Sequence, residues 1–168
     1  KEIEKNMEYN VNEVVNHINE LGICILEDYF TKAECQTAIE EFEDCLANYP
    51  DRVQVLESEG CGGDQRLFSI ERQSMIAKKF AEDDLIKQVC SQYLGEPGRC
   101  HQVLAGKLTA SEGKTVNSGG GWHRDSNTKQ FKALLYLSDV ENENGPYMFI
   151  PSSVNASPFS MLAPLCIL

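Results

Sequence analysis

The chain has 168 residues, 42% of them hydrophobic, and carries 15 Lys and Arg against 26 Asp and Glu, a formal net charge of −11. That length suits one domain with a sizeable core. The acidic balance, with no basic cluster to offset phosphate repulsion, argues against nucleic acid or an anionic membrane surface as a partner.

Lys1 opens the chain instead of Met, so the sequence is expected to be incomplete or processed at this end. No signal-peptide layout and no bilayer-length apolar run is present in it, so the expected setting is cytoplasmic and reducing. Ile3, Met7, Val11, Val14, Val15, Ile18 and Leu21 recur at helical spacing, and Gly22 follows as a stop. His17 in this helix reads as a surface or flank histidine. Ile23 to Leu26 is a short apolar run that suits a buried strand. Thr31-Lys-Ala-Glu34 fits a capping box. It opens a second helix with Cys35, Ala38, Ile39, Phe42, Cys45 and Leu46 on one face, ending near Pro50.

Arg52 to Leu56 and Arg66 to Ile70 read as strands around the flexible turn Gly60-Cys61-Gly62-Gly63-Asp64. One long helix is predicted over Ser74 to Leu94, using Ile76, Phe80, Leu85, Ile86, Val89, Cys90 and Tyr93, with Gly95 and Pro97 ending it. Cys100 to Thr109 then reads as a strand. Seven cysteines occur (Cys24, Cys35, Cys45, Cys61, Cys90, Cys100 and Cys166), and none forms C-x-x-C. A zinc ribbon or thioredoxin-type motif is therefore absent, and the thiols read as small buried hydrophobes.

Gly113-Lys114-Thr115 has the end of a phosphate-binding loop, but the first glycine of G-x-x-x-x-G-K-[ST] would fall at Leu108. No helical pattern follows Thr115, so nucleotide hydrolysis is excluded. Ser111 to Gly121 reads as a loop at the entrance of a site.

The stretch that organises the rest is Gly119-Gly120-Gly121-Trp122-His123-Arg124-Asp125 and the apolar run Phe131-Lys132-Ala133-Leu134-Leu135-Tyr136-Leu137. On extended backbone, residues i and i+2 point to the same side, so His123 and Asp125 can reach one ion while Arg124 points away. An imidazole nitrogen and a carboxylate oxygen are two members of the two-His-one-carboxylate set that leaves positions open on Fe(II). In the following strand, Phe131, Ala133, Leu135 and Leu137 share one side, and Lys132, Leu134 and Tyr136 the other. Asp139 to Pro146 is a turn, and Tyr147 to Ile150 reads as the next strand.

Gly-Trp-His123-Arg-Asp125, then Phe131-Lys-Ala-Leu-Leu-Tyr-Leu-Ser-Asp-Val, then Asn144-Gly145-Pro146-Tyr147-Met148-Phe149-Ile150-Pro151-Ser152 resembles the phytanoyl-CoA dioxygenase family. The match is in order and closely spaced over residues 119 to 152. The resemblance implies an α+β chain, with N-terminal helices packed on a partial double-stranded β-helix of jelly-roll or cupin type. It implies an Fe(II)- and 2-oxoglutarate-dependent dioxygenase that hydroxylates a small-molecule substrate, with O2 as cosubstrate. His123 and Asp125 would be metal ligands. Ala133 and Leu135 would line the 2-oxoglutarate pocket, although plain core packing explains them equally well. Gln102 and Lys107 lie where related enzymes place polar or basic residues for the cosubstrate.

After Ser153 the resemblance stops. The family next places Gly-Ser-His, a distal metal-binding histidine, and an arginine that pairs with the far carboxylate of 2-oxoglutarate. This sequence has no histidine after His123 and no arginine after Arg124. A partial domain over 1–152 and an atypical tail over 153–168, without a strand pattern, is the expectation. So is low or absent activity for these residues alone. A His101-His123-Asp125 triad is one alternative. A catalytically inactive metal-, ligand- or partner-binding module is the other.

Overall fold

The computed structural model describes residues 9–56, 63–109, 123, 125 and 128–152, together with the backbone of 165–167. Four α-helices and two three-stranded sheets make up the described chain, so it mixes helix and sheet as expected.

Helix α1 spans Val11–Leu21. The Asn10 side chain accepts the amides of Asn12 and Glu13, and Gly22 closes the helix at φ 89° with its N–H donated to the Ile18 carbonyl. Only glycine adopts that left-handed cap without steric cost. Ile3 and Met7, expected on the same helix, lie outside the described residues. Strand β1, Ile23–Ile25, follows directly. Helix α2, Lys32–Asn48, opens with the predicted capping box: Thr31 Oγ1 accepts the Glu34 amide at 3.2 Å, and Glu34 Oε2 accepts the Thr31 amide at 2.9 Å. Pro50 then starts a short 3-10 turn over Pro50–Arg52, since its ring suits a helix start but not a helix interior.

The single helix expected over 74–94 is two. Helix α3 covers Met75–Ala81 and helix α4 covers Asp84–Leu94. Asp83 is the reason. Its carboxylate accepts the Ile86 amide as an N-cap, and both its oxygens also receive the Tyr29 hydroxyl at 2.9 Å. Helical spacing continues through the break, but a short acidic side chain held from outside favours a fresh start. The N-terminus of α3 is held from outside as well, because Glu41 of α2 accepts the amides of Met75 and Ile76 and the Ser74 hydroxyl.

Strands β2 (Val53–Leu56), β3 (Asp64–Phe68) and β4 (Leu104–Leu108) form one antiparallel sheet in the order β2-β3-β4. The expected strand over 66–70 thus begins earlier and ends at Phe68; Ile70 belongs to a 3-10 turn. Strand β4 occupies only the second half of the expected 100–109. Val53, Leu67 and Ala105 face one another across the register. Leu67 and Ala105 pack with Phe42, Cys45 and Leu46 of α2, with Ile70 and with Ala77 of α3.

Strands β1, β5 (Lys132–Leu134) and β6 (Leu165–Ile167) form the second sheet, parallel throughout, with β6 in the centre. This corrects the expectation that the tail carries no strand. A fully paired parallel strand needs no alternation, and Leu-Cys-Ile is too short a run to show any. Strand β5 is shorter than the expected 131–137, and 147–150 has no ladder partner in the described structure. Cys24 and Ala133 occupy the same row of the sheet and pack against Val14, Val15 and Ile18 of α1 and Val89 and Tyr93 of α4. Each sheet therefore has one face covered by helices.

The described cysteines are all free. Cys24 and Cys45 are buried as expected and Cys35 and Cys90 half-buried, whereas Cys100 is exposed. Burial pushes each of these five thiols up from its ordinary value, which keeps them protonated and weakly nucleophilic. No helix among the described residues is long and apolar enough to cross a membrane.

Lys79 of α3 pairs with Glu34 of α2. That hydrogen bond, with the Thr31 amide next, lowers the Glu34 carboxyl to about 2. A carboxyl depressed in the folded state stabilises the fold above its unfolded value and loses that contribution as pH falls toward the folded one. We expect Glu34→Gln to flatten the fall in stability between about pH 4.5 and pH 2, measured by urea midpoints. An unchanged acid slope would remove Glu34 as its source.

Candidate metal centre

Three contacts fix the approach to β5. The Lys129 ammonium donates to the Tyr93 carbonyl in the last turn of α4 and lies 3.8 Å from the Tyr93 ring centroid. A cation at a helix C-terminus is favoured by the exposed carbonyls there. Phe131 stacks obliquely on Tyr93 at 6.4 Å. The chain thus enters β5 tied to α4, with Ala133 turned into the helical layer.

Alternation then puts Lys132 and Leu134 on the opposite, open face. Ile25 of β1 shares the register row of Leu134 and is 60% exposed. On this face the Lys132 ammonium meets Asp125 Oδ2. Asp125 Oδ1 lies 3.2 Å from His123 Nε2. The structure therefore brings the two expected ligands together, with their side chains 56% and 41% exposed. The Lys132 hydrogen bond holds the Asp125 carboxyl below its usual value; partial burial opposes this, and the Lys132 charge and the contact with His123 add to it.

Tyr147 lies near enough to Asp125 for that charge to act on its phenol. Its backbone N–H donates to the Tyr136 hydroxyl at 2.9 Å. Burial, with the Asp125 charge next, raises its phenol above the ordinary value. Sequence reading passed over both Lys132 and Tyr147. The available signal for Lys132 was a lone cation inside the apolar run Phe131–Leu137, where burial would be costly without a partner.

Two cis ligands with bonds of about 2.1 Å sit about 3 Å apart on one ion. The 3.2 Å between Nε2 and Oδ1, which is also the length of a hydrogen bond between them, is compatible with that, and an imidazole nitrogen with a carboxylate oxygen suits Fe(II). The pair fits two positions of a facial set. Among the described residues no group of three His, Cys, Asp or Glu converges. The His101-His123-Asp125 triad is thus not formed; His101 is exposed in the extended lead to β4.

The remaining expected residues lie as follows. Lys107 of β4 pairs with Glu43 of α2 at 2.6 Å, on the helix-covered side of the antiparallel sheet. Gln102 is exposed beside His101. Ala133 packs against the core, and Leu135 is half-buried just past β5. Trp122 and the loop 111–121 lie outside the described residues.

A family model described as phytanoyl-CoA dioxygenase (PhyH) matches residues 18–164. No curated protein and no solved structure matches the chain.

Proposed function

The chain belongs to the phytanoyl-CoA dioxygenase family, and from that premise we propose that it serves Fe(II)- and 2-oxoglutarate-dependent hydroxylation of a small-molecule substrate. The observation that carries this reading is the convergence of His123 Nε2 and Asp125 Oδ1 beside the open face of the parallel sheet. When bound, Fe(II) with 2-oxoglutarate and O2 supplies the oxidising power, with succinate and carbon dioxide as co-products.

The chain's own residues hold and orient. His123 offers an imidazole nitrogen, and Asp125 an oxygen whose anionic form the Lys132 hydrogen bond favours. Sheet β1-β6-β5 is a stiff base for the lysine, braced from behind by α1 and α4. Ile25 and Leu134 supply apolar surface beside the pair. Tyr147 presents a protonated phenol to a polar ligand group at the rim. In this reading the open sheet faces are the ligand side and the helices are the outer layer. The exposed apolar residues Ile25, Phe68, Leu104 and Leu108 on the sheets support that. Free thiols support a reducing compartment.

Anaerobic addition of Fe(II) and 2-oxoglutarate should produce the visible charge-transfer absorption of their chelate in the native chain and not in His123→Ala. No absorption in the native chain, or equal absorption in both, contradicts the reading. A second reading is a metal- or ligand-binding module without turnover, favoured by the absence of a three-donor group among the described residues. Admitting O2 tests the second reading: His123-dependent succinate would rule the module out.

A further inference from the structure

We infer that Lys132 is a positioning residue that makes Asp125 a one-oxygen metal ligand. This rests on the metal reading above and adds a residue to it. The two oxygens of the Asp125 carboxylate are divided: Oδ2 is taken by the Lys132 ammonium, while Oδ1 lies 3.2 Å from His123 Nε2. Only Oδ1 is thus on the imidazole side, where an ion held by both residues would sit.

The anchoring is structural on the lysine side. Lys132 is the first residue of β5 and pairs in register with Leu165 of β6, the central strand. Lys129 and Phe131, just before it, are tied to Tyr93 of α4. The ammonium therefore approaches from a fixed base, whereas a half-exposed aspartate alone would rotate about its side-chain bonds. Hydrogen-bonded partners of this kind orient ligating carboxylates at metal sites. A carboxylate whose Oδ2 is released by the ammonium is able to bind through both oxygens, which raises the coordination number of the ion by one.

Affinity alone does not read this out, because removing Lys132 also removes a like charge from beside the metal. Coordination mode does. Co(II) alone, added to the native chain, should give a ligand-field spectrum that His123→Ala loses. Lys132→Met and Lys132→Gln should shift it toward the weaker absorption of a higher coordination number, and Lys132→Arg should keep the native spectrum. Lys132 is exposed, so the variants should fold, and thermal melts check that; the arginine variant guards against a general structural effect. Native spectra in the Met and Gln variants would overturn the inference while leaving the metal site standing. A native chain with no His123-dependent Co(II) spectrum would overturn both.

Discussion

Arg66→Met is expected to destabilise the fold by about 3 kcal/mol, more than Asp64→Ala does. Asp64 opens β3 with its side chain only 2% exposed, and Arg66 reaches it twice, Nε at 2.9 Å and a terminal nitrogen at 2.6 Å. The Arg66 side chain is 31% exposed. The asymmetry decides which loss is worse. Removing Asp64 leaves a guanidinium that water can reach. Removing Arg66 takes the guanidinium that reaches it twice from a carboxylate that water does not reach, the more costly of the two. Thermal melts should show the Arg66 variant falling by roughly 6–12 °C for a chain of this size. A larger fall in Asp64→Ala would show that burial of the acid is not what sets the cost.

How much of this was legible depends on where each signal resides. The Gly22 stop and the Thr31–Glu34 box are local, and both form as the sequence indicates. The break in the 74–94 helix is not local: Asp83 is one acid among several until Tyr29, 54 positions away, donates to it. The strand at Leu165–Ile167 is also set by distant partners, β1 and β5, which flank it on both sides. The same holds for the site. His123 and Asp125 lie in contact, which their spacing of two residues allows. Nothing in the sequence showed which carboxylate oxygen faces the imidazole, because that follows from Lys132 on the neighbouring strand. Lys107 illustrates the converse. A lysine on the strand before the site looked available for an anionic cosubstrate, but Glu43 of α2 holds it on the helical side.

The second large effect is expected at the metal. Loss of an outer partner of a metal ligand costs about 10–100-fold in affinity. Loss of a ligand itself, where the described residues supply two, should cost on the order of 100-fold or more. His123→Ala and Asp125→Ala should show this equally, because each leaves one donor. Both side chains are about half exposed, so neither substitution should disturb the core, and the melting temperature should stay close to that of the native chain.

Calorimetric titration of Mn(II) into the native chain and these two variants is the most direct test. The expected result is one site per native chain and a collapse of binding in both variants with the fold intact. Equal Mn(II) binding in all three proteins would contradict it, and would place the metal away from His123 and Asp125.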